Sequence, residues 1–256
     1  MNISNRSINL LKNDNIAWYM WYIQNDRSFM KFETYYSLWS AFASCIESYH
    51  KTGDRCIERF AENMKQEFFK AEQSEKFDTY LAQLHELVEN AKLVCTDRCE
   101  NSEFETKIII SDKYTLKSKY DALRDNLIED YKSVSSFTDS IEAKEKYQQQ
   151  MEIYQYSEFK RQWRKLDAQI TEIKKWRPTL PTKKEDLIAL IPEWVDASGN
   201  VADLRARLYL YTTADKVSQK IMFPRDDEII PRTEDLLRRA MLKADYLQTL
   251  KLEDVL

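Results

Sequence analysis

The stretch SIEAKEKYQQQMEIYQYSEFKRQWRKLDAQITEIKKWR, residues 140–177, governs how the rest of the chain is read. Phe159, Trp163, Leu166, Ile170 and Ile173 follow one another in steps of four and three, the spacing that keeps side chains on one face of an α-helix. Lys160, Arg161, Arg164, Lys165, Lys174 and Lys175 fall beside or opposite that line. The spacing predicts one long helix of about 36 residues, about 55 Å if continuous. Its upstream part, residues 142–150, is almost wholly polar and is expected to face solvent as an arm. The docking part is then 159–177, with Trp163 buried.

The whole-chain composition agrees with helix. Among 256 residues, 43% are hydrophobic and 32% charged, and only two glycines and five prolines are present. A β-rich fold needs more turn residues than this. Gly53 and Gly199 are isolated from one another, so no phosphate-cradling loop, dinucleotide fingerprint or nucleophile elbow can be built. No nucleotide loop and no organic cofactor are therefore expected. Four cysteines are too few for a disulfide framework, and no apolar run reaches the ~18 residues of a membrane span. The chain reads as cytoplasmic, with reduced thiols and no membrane contact.

On either side of the central stretch, helical spacing recurs. Phe32, Tyr35, Trp39, Phe42, Ile46 and Tyr49 predict a buried helix closed by a left-handed cap at Gly53. Helices carrying Ile57 to Phe68 and Phe77 to Ala91 follow as a hairpin, and Leu116, Tyr120, Leu123 and Leu127 predict a fifth. Ile108, Ile109 and Ile110 form the single β-like run. Pro178 and Pro181 mark a linker, beyond which Val201, Leu204, Leu208 and Tyr211 predict a helix continuing to Ile221, and Pro231 opens a terminal one. The resulting expectation is an all-α fold, a bundle of about eight helices with one long central helix. Its parts are an N-terminal bundle over 1–135, the basic amphipathic helix over 136–177, and a C-terminal helical region over 182–256.

Histidine and cysteine chemistry has few candidates. Cys95, Cys99 and His85 offer three zinc ligands without a second pair, so no metal site is expected. Cys45 lies on the apolar side of its helix, where a thiol packs and its pKa rises, which argues against a nucleophile activated by His50. The acidic loop Asp226-Asp227-Glu228 reads as solvated.

The strongest positive signal is the basic face. Lys160, Arg161, Arg164, Lys165, Lys174, Lys175 and Arg177, interleaved with Trp163 and Trp176, supply phosphate neutralisation and rings for base stacking. The plain alternative is that Trp163 is core and the charges pair with acidic neighbours.

The N-terminal half also resembles the HEPN superfamily. The aromatic helix from Phe32 to Phe42 is similar to that family's first core helix, and Arg124-Asp125-Asn126-Leu127-Ile128-Glu129 resembles its arginine, polar residue, three spacers and histidine. The resemblance implies a small helical bundle and a metal-independent ribonuclease of prokaryotic defence or toxin systems, with Arg124, Asn126 and Glu129 at its site. Glu129 stands where that family places histidine, and a carboxylate there would repel RNA phosphate and alter proton transfer.

Three functional expectations follow. The first is a non-enzymatic subunit of a larger intracellular assembly that binds a protein partner, with RNA or DNA as a further ligand of the basic face. The second is a HEPN-like ribonuclease with an altered site. The third is a viral or effector-type protein acting through protein contacts.

Overall fold

The computed structural model describes residues 1–26, 33–99, 101–177, 180–211 and 213–251. Its elements in chain order begin with β1 (Asn2–Ile3), α1 (Asn5–Asn13), α2 (Asn15–Tyr22), α3 (Thr34–Thr52), α4 (Ile57–Lys70) and α5 (Phe77–Lys92). A three-stranded run follows, β2 (Ser102–Ile109), β3 (Thr115–Arg124) and β4 (Leu127–Val134). Then come α6 (Ser140–Gln162), β5 (Asp167–Lys174), α7 (Lys184–Leu190), α8 (Val201–Leu210), α9 (Ala214–Val217), β6 (Ser218–Phe223) and α10 (Ile229–Thr249).

This is not the all-α bundle that the composition suggests. A six-stranded mixed sheet runs through the middle of the molecule. β2, β3 and β4 form an antiparallel meander, α6 crosses over to bring β5 parallel to β4, and β6 returns antiparallel to β5. One face is covered by α1, α2, α6 and α10, whose core includes Trp18, Leu116, Tyr120, Met151, Ile170 and Leu237. The other is covered by α3, α4 and α5, packed through Phe42, Met64, Phe68, Leu84 and Val88 onto Tyr131 and Ile173. Helices α7 and α8 make a small satellite core of Leu187, Ile191, Leu204 and Leu208.

Nor is there one helix over 140–177. α6 stops at Gln162, where Trp163 takes a left-handed conformation (φ 56°) and its N–H caps Phe159, and the chain re-enters the sheet as β5. Leu166 and Ile170 do share a face, but Ile173 points to the opposite core. A spacing of four satisfies a strand as well as a helix, and β5 is buried on both faces, with the alternation of Ala168, Gln169, Ile170 and Thr171 broken where Glu172 takes the apolar face and Ile173 the other. The same ambiguity applies to Leu116 and Tyr120, which lie on β3 rather than on a fifth helix. Trp163 is 77% exposed, its ring edge-on to Phe159.

The upstream part of α6 packs on the sheet rather than projecting as an arm. Ala143 and Tyr147 are buried and Gln150 reaches Asp130 on β4, while Glu142, Lys144, Glu145, Lys146 and Gln148 face solvent as expected. In α3 the buried line is Leu38, Ala41, Phe42, Cys45 and Ile46, so Tyr35 and Trp39 face solvent, while Gly53 closes the helix with φ 86°. Phe32 and the linker around Pro178 and Thr179 lie outside the described residues. Among the described residues no helix is long and apolar enough to cross a membrane.

Candidate active site

The site arises where the sheet forks. β3 and β4 pair only over Ala122↔Glu129, Leu123↔Ile128 and Arg124↔Leu127. Farther back along β3, the same edge is taken at Thr115 and Leu116 by the N-terminal strand β1, so among the described residues no strand lies beside 117–121 on that edge. Continuing the β3–β4 register by one step would place Asp121 opposite Asp130. These are the first two residues inside the fork. In place of the missing ladder bond, the Tyr131 N–H donates to Asp121 Oδ2 at 2.7 Å.

Strand alternation sets the next member. Lys132, two residues after Asp130, projects to the same face, and its Nζ lies 2.5 Å from Asp130 Oδ2. Across the fork, α6 presents Gln150 and Tyr154, one turn apart and so on one face. Gln150 Nε2 donates to Asp130 Oδ1 at 3.2 Å and to the Tyr154 hydroxyl at 2.6 Å, and that hydroxyl reaches Asp130 Oδ1 at 3.4 Å. Asp130 is thus gripped from the helix on one oxygen and by Lys132 on the other. It is a carboxylate with a fixed direction.

The electrostatics of the fork oppose ionisation of both carboxylates together. Burial and the negative charge of Asp130 push the Asp121 carboxyl up to about 7, against the opposing pull of Lys132 and the Tyr131 N–H. Burial opposes the charge on Lys132, yet Asp130 and Asp121 outweigh it and hold the ammonium above its ordinary range. Burial and Asp130 together keep Tyr154 a neutral phenol, able to donate.

Whether a metal ion suits these residues is decided by donor type and number. Both side-chain donors are carboxylate oxygens, which suit a hard divalent cation rather than zinc. Among the described residues no group of three or more His, Cys, Asp or Glu side chains gathers in a metal-holding arrangement. Two carboxylates, with water and substrate phosphate completing the shell, are what Mg²⁺ characteristically accepts. The residues fit such an ion, and do not fit a closed structural metal site.

A stability prediction follows from Asp121. Its folded-state pKa is raised, so the folded protein retains a proton that the unfolded chain releases. The corresponding stability is present below the ordinary carboxyl value of 3.8 and is lost as pH climbs towards about 7. Asp121→Asn should remove that loss. In chelator, urea unfolding should show the variant more stable than the parent at pH 8 by on the order of 2 kcal/mol, with the gap closing at pH 4. A variant no more stable than the parent at pH 8 contradicts the charge balance described.

The residues singled out from the sequence lie elsewhere. Arg124, Asn126 and Glu129 sit on the β3–β4 hairpin and not on a helix, and Arg124 Nε is held by Glu129 Oε2 at 2.5 Å. The basic residues do not share a helical face. Lys160 pairs with Glu234 at 2.8 Å, Arg161 grips Glu158, Arg164 bonds the Asp125 carbonyl and Asn126, and Lys165 meets Asp227. Lys174, whose Nζ lies 4.3 Å over the Phe137 ring, and Lys175 and Arg177 come at the far end of β5, about 23 Å away along the strand. Arg177 is paired with Glu86 at 3.0 Å.

Cys45 and Cys95 are buried thiols pushed up to about 12 by desolvation. Desolvation and Arg124 lower His50 to about 4, and its Nδ1 accepts the Cys99 N–H, a structural role. His85 is exposed on α5. Asp121, Asp130, Lys132, Gln150 and Tyr154 were all passed over by the sequence reading. The available signal was Asp130-x-Lys132, which carries meaning only once it is placed on a strand.

No protein-family model and no curated protein match this chain. A solved structure does: the crystal structure of a protein from Eubacterium rectale named putative exonuclease, with a TM-score of 0.59 at 12% identity, covering 97% of this chain and 81% of that one. At that identity the likeness shows a shared fold, extending over nearly all of this chain.

Proposed function

We propose that this protein is a divalent-metal-dependent phosphodiesterase that cleaves nucleic acid. The observation that carries the reading is the fork itself, with two opposed carboxylates, a lysine two residues on, and a helix whose Gln150 and Tyr154 fix one carboxylate. The name of the Eubacterium rectale neighbour, putative exonuclease, points the same way.

Asp121 and Asp130 would hold the ion. A divalent cation bound there supplies Lewis-acid polarisation of the phosphate and acidifies a water. Lys132 places a cation where negative charge accumulates on the phosphoryl oxygens and orients the attacking water by hydrogen bonding. Gln150 and Tyr154 keep Asp130 directed into the fork. Burial of the cluster strengthens each of these interactions.

The test is cleavage of linear and circular DNA and of RNA by purified protein with Mg²⁺ or Mn²⁺, against a chelator control. The reading expects cleavage that disappears with chelator. Exonuclease action would spare closed circles. Cleavage that persists in chelator and is lost in Arg124→Ala would overturn it in favour of metal-independent chemistry on the hairpin. No cleavage of any substrate would favour the non-enzymatic reading.

A further inference from the structure

We propose that Tyr35, Tyr36 and Trp39, at the start of α3, form a stacking platform for the unpaired bases of a single-stranded nucleic-acid end. The destination of that strand rests on the nuclease reading of the fork, whereas the platform's binding chemistry does not.

The inner face of α3 is already filled by Leu38, Ala41 and Phe42. Within the same helical turns, three large aromatic side chains remain 45%, 48% and 41% exposed at positions 35, 36 and 39. Tyr35 and Tyr36 lie with ring centroids 4.2 Å apart at 36°, packed on one another, and the pair stays open to solvent. Trp39 lies next to the fork, with Lys132 Nζ 5.8 Å from the centroid of its ring. The rings therefore lead directly to the lysine of the candidate site.

Charge at the fork end selects the occupant. The Lys132 ammonium is the cation that borders the platform, at the Trp39 ring. An apolar peptide face would gain nothing from this cation, whereas a polyanion carrying flat rings satisfies both features. A duplex keeps its base faces stacked inside, so only an unpaired strand can use the platform.

Fluorescence polarisation of the full chain in chelator, with a labelled short single-stranded oligonucleotide and a blunt duplex of the same sequence, tests this. The single strand should bind at least tenfold more tightly. Trp39→Ala and the double variant Tyr35→Ala/Tyr36→Ala should each weaken single-strand binding by about five- to hundredfold, the range for losing base stacks. Duplex binding should stay within twofold, and Trp39→Phe should recover most of the affinity. Single-strand binding within twofold of the parent in both variants, or an equal loss for duplex, overturns the platform. Hydrolysis of bis(p-nitrophenyl) phosphate with Mn²⁺ separates the two readings. A parent that binds through the rings but hydrolyses nothing keeps the platform and removes the nuclease, and an active parent with unchanged binding in the variants does the reverse.

Discussion

Asp130→Asn and Lys132→Met should each lower metal-dependent cleavage by about 10³-fold or more, while the protein stays folded. The asparagine introduced by Asp130→Asn would preserve the shape of the side chain, and its oxygen could still accept from Gln150 and Tyr154, which now approach Asp130 Oδ1 at 3.2 and 3.4 Å. What is removed is the charge that would hold the cation. Losing one preorganised electrostatic group in a catalytic site commonly costs 10²–10³ in rate, about 2.7–4 kcal/mol, and losing an ion ligand costs more. Lys132→Arg should not rescue activity, because the guanidinium fork cannot take the place of a compact ammonium 2.5 Å from Asp130.

Calorimetric titration with Mn²⁺ divides the roles. Asp130→Asn should weaken ion binding at least tenfold. Lys132→Met should leave it unchanged or tighter, since a competing positive charge is gone, even as cleavage is lost. Ion binding that falls equally in both variants would mean that Lys132 acts only by holding the carboxylate in place. Retained cleavage in either variant would place the chemistry outside the fork.

Glu172→Leu should destabilise the protein by about 3–5 kcal/mol, lowering Tm by roughly 10 °C. Glu172 is fully buried on β5. It accepts the Thr138 N–H at 3.1 Å, the Thr138 hydroxyl at 2.9 Å, the Tyr147 hydroxyl at 2.8 Å and Gln219 Nε2 at 3.3 Å. One carboxylate therefore fastens the entry of α6, the helix itself and strand β6 to the centre of the sheet. Leucine would strand these donors in the interior, and a buried polar group left unpaired costs about 1–3 kcal/mol. Ile109→Ala, at a position 79% exposed, is the control and should change stability by less than about 0.5 kcal/mol. Chemical denaturation that finds Glu172→Leu within about 1 kcal/mol of the parent would show that these bonds are replaced by water.

How much of this was legible in the sequence can be judged residue by residue. The amphipathic helices α4, α5 and α10 follow directly from their spacing, because each buries one stripe and shows the other to solvent. The left-handed cap at Gly53 and the start of α8 at Val201 could be read from local chemistry, the latter through the Asn200–Asp203 capping box. The strands were harder. β5 is buried on both faces, and Leu116 and Tyr120 on β3 are separated by four residues, a spacing common to helix and strand.

The candidate site inherited that error. On a helix, Asp130 and Lys132 point about 200° apart and read as ordinary surface charge. On a strand they share a face. Gln150 reads as the end of a solvated arm and Tyr154 draws no notice, because the helix around them is polar on most sides, and only the covering sheet turns them inward.

Residues 140–177 show the division clearly. Sequence alone determined that this segment starts as a helix, that its basic residues gather late, and that the chain as a whole lacks glycine loops for phosphates. It could not determine that the helix ends at Gln162 and that the remainder joins a sheet, because a strand's partners come from distant residues such as 127–134 and 218–223. Only tertiary structure decided that β1 would take part of the β3 edge and leave a fork, and so brought Asp121 and Asp130 face to face. Strand pairing is a non-local choice, and here it creates the site.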